Sequence, residues 1–131
     1  MPLPTTTIAL AGSIAISSLA SPVVAQELSG EKIKRLLTGE RVYLSTPFGV
    51  EVPLNYRAGG KVTGDVSGVS AASMFAPKET GRWWVQNDRL CQKWPTWYKG
   101  RQFCYKITQT GENTIRWLRN DGKSGTARIG G

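Results

Sequence analysis

Two stretches decide the fold: Arg89-Leu90-Cys91-Gln92-Lys93-Trp94 and Gln102-Phe103-Cys104-Tyr105-Lys106-Ile107-Thr108-Gln109. Each alternates with a period of two, as a strand does when successive side chains point to opposite faces. In the first, Arg89, Cys91 and Lys93 share one face and Leu90, Gln92 and Trp94 the other. In the second, Gln102, Cys104, Lys106 and Thr108 lie opposite Phe103, Tyr105 and Ile107. Pairing Cys91 with Cys104 puts both cysteines on the charged face and brings the apolar sets together on the other. A slip of one residue would invert every side chain, so the register is predicted along with the pairing. These are the only cysteines. In an exported chain they predict a disulfide that staples the outside of the hairpin and contributes on the order of 3 kcal/mol.

The same parity turns Trp83, Val85, Ile115, Trp117, Ala127 and Ile129 inward, and Arg82, Trp84, Arg116 and Arg128 outward. Strands are expected near 41–46, 50–56, 61–66, 81–86, 89–94, 102–109, 114–119 and 124–129. Between them stand turn signals such as Ala58-Gly59-Gly60, Asn87-Asp88 and Asn120-Asp121-Gly122, whose residues tolerate the positive φ of tight hairpins. Residues 67–80 break the rhythm and are expected to form a longer loop or lid. The fold class is therefore all-β: an antiparallel meander, or a small eight-stranded barrel-like domain, which would leave no exposed edge. An open, curled sheet is the other arrangement.

One short helix is expected at residues 29–38. Ser29 can cap it, Glu31 suits its first turn, Lys34 and Arg35 suit its last, and Gly39 fits the stop. Ile33, Leu36 and Leu37 make one apolar stripe, and a helix this short must dock on something.

Ahead of the helix, residues 8–20 form an apolar, small-residue run shorter than the roughly 20 residues a membrane span needs. Val23-Val24-Ala25 follows, with small residues placed for signal peptidase. Residues 1–25 are thus expected to be a cleavable signal peptide cut after Ala25, with Ala20 the alternative site. Residues 26–131 then form a single β-rich domain, periplasmic or secreted, with no transmembrane segment in the mature chain. The segment before the apolar run carries no Lys or Arg, which departs from the usual signal pattern.

The chain has 131 residues with 17 Lys+Arg, 9 Asp+Glu and no His, a net charge of +8. Without His, neither a Ser-His nor a Cys-His nucleophile pair can form, nor a His-ligated metal site. The carboxylates are scattered and form no evident acid–base pair. No catalytic residue, metal site or cofactor is expected, and the protein is read as a non-enzyme.

Charge and aromatics mark the candidate binding residues. Residues 82–131 hold ten Lys+Arg against three acids, Asp88, Glu112 and Asp121. Arg89, Lys93, Lys106 and Arg116 are expected on the outer face, where they would attract anions. Trp97, Tyr98, Lys99 and Arg101 lie between the two cysteines at a hairpin tip, where exposed aromatics beside cations suit stacking on sugars or docking a protein. The alternative is that these aromatics fold back to cap one end of the barrel.

The segment Gly81-Arg82-Trp83, followed by Leu90-Cys91, Phe103-Cys104-Tyr105 and Thr114-Ile115-Arg116-Trp117, resembles small exported bacterial proteins of an uncharacterised family. These are built around a G-x-W … L-C … C β-meander behind a signal peptide. The resemblance spans roughly residues 29–129, implies fold and compartment, and brings no activity with it. A looser similarity is to periplasmic protease inhibitors with a small disulfide-bearing barrel, whose inhibitory segment matches no residues here.

The expected function is a cell-envelope binding or accessory protein that engages an anionic glycan, a lipid head group or an acidic protein. A periplasmic enzyme inhibitor is the first alternative and a small-ligand carrier the second. Trp83, Trp94, Phe103, Tyr105 and Trp117 are expected to fill the interior, which counts against the carrier. Export and the inward aromatics count against nucleic acid.

Overall fold

The computed structural model describes residues 2–5, 7, 9–14, 24–70 and 74–130. The alternative cut after Ala20 and residues 71–73 of the expected long loop lie outside them.

The alternating stretches fold as eight antiparallel strands in chain order: β2 (Arg41–Ser45), β3 (Glu51–Tyr56), β4 (Lys61–Asp65), β5 (Lys78–Gln86), β6 (Arg89–Lys93), β7 (Phe103–Gln109), β8 (Thr114–Arg119) and β9 (Ser124–Ile129). Each pairs with its neighbour, and β9 returns to β2, placing Val42 opposite Ile129 and Leu44 opposite Ala127. The meander is thereby a closed eight-stranded barrel, and the open-sheet arrangement does not occur. A two-residue strand, β1 (Gln26–Glu27), extends the sheet beside Thr108 and Gln109 of β7. Periodicity could not reveal so short a strand.

The predicted faces hold on every strand of the central hairpins. Trp83, Leu90, Trp94, Phe103, Tyr105, Ile107, Ile115, Ala127 and Ile129 are buried in one core. Cys91 stands directly opposite Cys104 and is bonded to it, on the outer face. Cys91 is nevertheless fully buried, because Trp84 is its cross-strand neighbour on the other side. Asn87 and Asp88 turn the β5–β6 hairpin, both at positive φ (51° and 55°).

On the outside of the closing seam, Arg128 lies over the ring of Tyr43 at 3.9 Å and reaches both oxygens of Glu51, at 2.7 and 3.0 Å.

Helix α1 (Gly30–Leu37) takes the predicted caps: the Ser29 side chain accepts the backbone N–H of Lys32, and Gly39 has φ 78°. The helix closes one end of the barrel. Leu28 donates its N–H to Ile107 of β7, and Gly30 donates to Asp88 in the β5–β6 turn. At the other end Gly39 donates to Tyr56, and Tyr56 to Glu40, at the end of β3. The helix therefore runs from one wall to the opposite one, with Ile33 and Leu37 fully buried beneath it. Among the described residues, no helix is long and apolar enough to cross a membrane.

Candidate functional site

With α1 across one end, the interior opens toward the other, where residues 46–50, 66–70, 74–77 and 94–102 gather. A cavity of about 480 Å³ opens at this end and extends down inside the barrel. Its wall includes Val42, Leu54, Ile107, Ile115 and Ala127, and its rim includes Phe48, Phe75, Tyr98, Lys99 and Arg101. The expectation that bulky side chains fill the interior is therefore incorrect.

Glycines explain the space. Three of the inward-facing strand positions are Gly64, Gly81 and Gly125, and each receives an indole. A Cβ at these positions would meet the rings of Trp97 at 2.6 Å, Trp94 at 2.9 Å and Trp117 at 2.5 Å. The rings lie against bare backbone instead of meeting at the centre, so the middle of the barrel stays open.

Trp97 is the clearest departure from the sequence expectation. Its ring does not stand exposed at the hairpin tip. It is buried, packs on Trp94 with ring centres 4.6 Å apart, and donates its indole N–H to the Ala76 carbonyl at 2.8 Å. The fold-back arrangement holds for this residue. Two features force it. Tyr98, Lys99 and Gly100 all take positive φ (56°, 57° and 69°) and reverse the chain just beyond Trp97. Glu79 then pins the turn, its carboxylate accepting both backbone N–H groups of Thr96 and Trp97 and the Thr96 hydroxyl. Left-handed non-glycine residues cost about 1–3 kcal/mol each and persist only where the surroundings over-determine them. Burial opposes ionisation of Glu79, yet these hydrogen bonds outweigh it and hold the pKa below the ordinary value.

Polar groups are few in this cup and they cluster. Tyr56 donates to the Gln92 side chain at 2.9 Å, deep in the core, and burial pushes its phenol pKa up. Tyr105 lines the cavity with its hydroxyl beside Gln92 and the Arg119 guanidinium; burial, then Tyr98, push its pKa up to about 12. Arg119 is itself buried, an inward residue at the mouth end of β8. Its Nε and Nη2 each donate to Asp121 at 2.8 Å. Its guanidinium lies 4.2 Å from the centre of the Phe103 ring and 5.3 Å from that of Tyr98. The hydrogen bonds from Arg119 lower the Asp121 pKa to about 2. One further polar atom stands in the wall: Nε1 of Trp117, the only buried side-chain nitrogen or oxygen among the described residues with no partner.

The predicted binding residues thus divide into two groups. Tyr98, Lys99 and Arg101 stand at the mouth, with Trp97 inside it. Lys93, Lys106 and Arg116 are exposed on the outer wall, and Arg89 is half-buried at the far end of β6. The structure does not bring the two groups together. Sequence reasoning missed Arg119, Tyr105 and Gln92 as site residues. The signal was present: parity that turns Ile115 and Trp117 inward also turns Arg119 inward, and a cation at an inward position marks a site.

No family model, curated protein or solved structure matches the chain.

Proposed function

We propose that the protein is a non-catalytic binding protein of the cell envelope that holds a small, largely apolar molecule in the cup of its barrel. One observation carries this reading: a cavity of about 480 Å³, apolar along its wall and open at one end. Pockets for small ligands typically measure roughly 300–1,000 Å³, lined by apolar side chains with a few convergent polar groups. No carboxylate lines this cup among the described residues. The sequence ranked this function last, on the expectation of a filled interior.

Export belongs to the same proposal. The disulfide fits an oxidising compartment, and the expected cut after Ala25 falls directly before β1, so cleavage would leave the barrel and its helix whole.

The test is native mass spectrometry of the protein purified from its own envelope. A mature chain beginning at Gln26 with a retained small molecule is the expected result. A full-length, reduced and empty chain would overturn both the compartment and the carrier.

A second reading rests on the outer wall. Arg82 stands directly opposite Lys93, and among the described residues neither has a carboxylate partner. Like charges directly opposed are destabilising, and an anionic surface or acidic protein would relieve them. On this reading Lys93, Lys106 and Arg116 form the contact, as the sequence suggested.

A further inference from the structure

We infer that the cup selects a single-chain anionic amphiphile, a long-chain carboxylate in the simplest case, lying with its head at the mouth and its tail toward the helix. This rests on the carrier reading and adds the chemical class and orientation of the ligand.

Polarity inside the cup is arranged along its length. The wall toward the closed end is formed largely by apolar residues such as Leu54, Ile107 and Ile115, and the Tyr56 hydroxyl there is already engaged by Gln92. At the open end stand three cations, Lys99, Arg101 and Arg119, and all three line the cavity. Asp121 neutralises Arg119 through Nε and Nη2, which leaves Nη1 without a partner among the described residues. Nη1 is not itself fully buried, since Trp117 Nε1 is the only such atom without a partner among the described residues, so it is open to a ligand. The guanidinium is fixed in place by its carboxylate and by the rings of Phe103 and Tyr98, so its remaining edge is preorganised for an acceptor. The Tyr105 hydroxyl stands beside it and stays protonated at neutral pH, ready to donate. With Lys99 and Arg101 at the rim, the mouth carries a net positive charge and suits a monoanionic head.

The orientation also fits the rim. Phe48 and Phe75 are largely exposed there, an apolar entrance that an aliphatic tail can cross before the head settles among the cations.

The test compares decanoate, decan-1-ol and decylammonium by isothermal titration calorimetry, with the wild-type protein and the variants Tyr105→Phe and Lys99→Gln/Arg101→Gln. Tyr105→Phe keeps the ring that packs in the core, and the paired variant changes only exposed residues, so both should fold. Decanoate is expected to bind about tenfold more tightly than the alcohol, the worth of a charge-assisted hydrogen bond, and decylammonium most weakly. Both variants should shrink the preference for the anion while retaining the alcohol. Equal affinity for all three compounds would overturn the head-group inference and leave the carrier intact. A preference untouched by Tyr105→Phe would place the anion on the outer surface and overturn it as well. Binding of none of them would overturn the carrier too.

Discussion

The indole of Trp97 lies against Gly64, where a Cβ would stand 2.6 Å from the ring. The contact joins the loop between β6 and β7 to the inner face of β4, and it turns an aromatic residue from the rim into part of the wall. Gly64→Ala should therefore push Trp97 out of its seat. Overpacking of this kind costs about 1–3 kcal/mol. Thermal unfolding should show the loss, and the tryptophan emission should shift to the red, by an amount absent in a Trp97→Phe background. Unchanged stability and emission would mean that the ring is not held there.

Acid should loosen the same loop. Glu79 and Asp121 both have folded-state pKa values below their ordinary ones. Each carboxylate therefore contributes stability that is fully present above its unfolded pKa of about 4 and lost as pH falls through the folded value. For Asp121 that value is about 2, so the loss extends through this window. Melting temperature should fall steeply over the range, and Glu79→Gln should flatten part of the slope while lowering stability at neutral pH. A wild-type acid limb retained in full by Glu79→Gln would show that its carboxylate is not what holds the turn.

The disulfide invites a direct measurement. Replacing both partners, Cys91→Ala/Cys104→Ala, should remove on the order of 3 kcal/mol in denaturant titration, and more if the buried Cys91 site packs poorly around alanine. The hairpin register should survive, since the inward faces of β6 and β7 specify it independently. Cross-strand contacts of Leu90 with Tyr105 in a nuclear Overhauser spectrum check that point.

Charge on the outer wall has its own signature. Arg82→Glu places an acid opposite Lys93 and should stabilise the β5–β6 pair by about 0.2–1 kcal/mol at low salt. The gain should fade as salt rises. If the variant is instead less stable, the wild-type cations are not in conflict and the second reading loses its support.

The sequence showed the walls of the barrel more clearly than its contents. Strand periodicity and turn residues are local properties, and together they placed eight strands and the Cys91–Cys104 register close to where they lie. Contents depend on partners far apart in the chain. Trp97 looked exposed because nothing near it could bury it; its seat, Gly64, is on another strand, and its anchor, Glu79, on a third. The interior looked full because five large aromatics point inward. It is open because Gly81 and Gly125, with Gly64, let Trp94, Trp117 and Trp97 lie against the wall. Arg119 was counted among the basic residues, although its parity with Trp117 already placed it inside.

The pairing of β9 with β2 has a consequence in time. Val42 meets Ile129 and Leu44 meets Ala127, so the second strand of the chain waits for the last one. Hairpins such as β6–β7 can form as soon as they emerge, but long-range closure is slow and comes only when both ends are present. Until residues 124–129 are made, the sheet is a ribbon with two open edges and no enclosed cup. A chain threaded through a membrane in order, from its first residue to its last, would remain an unclosed ribbon for nearly the whole passage and complete its barrel only on the far side.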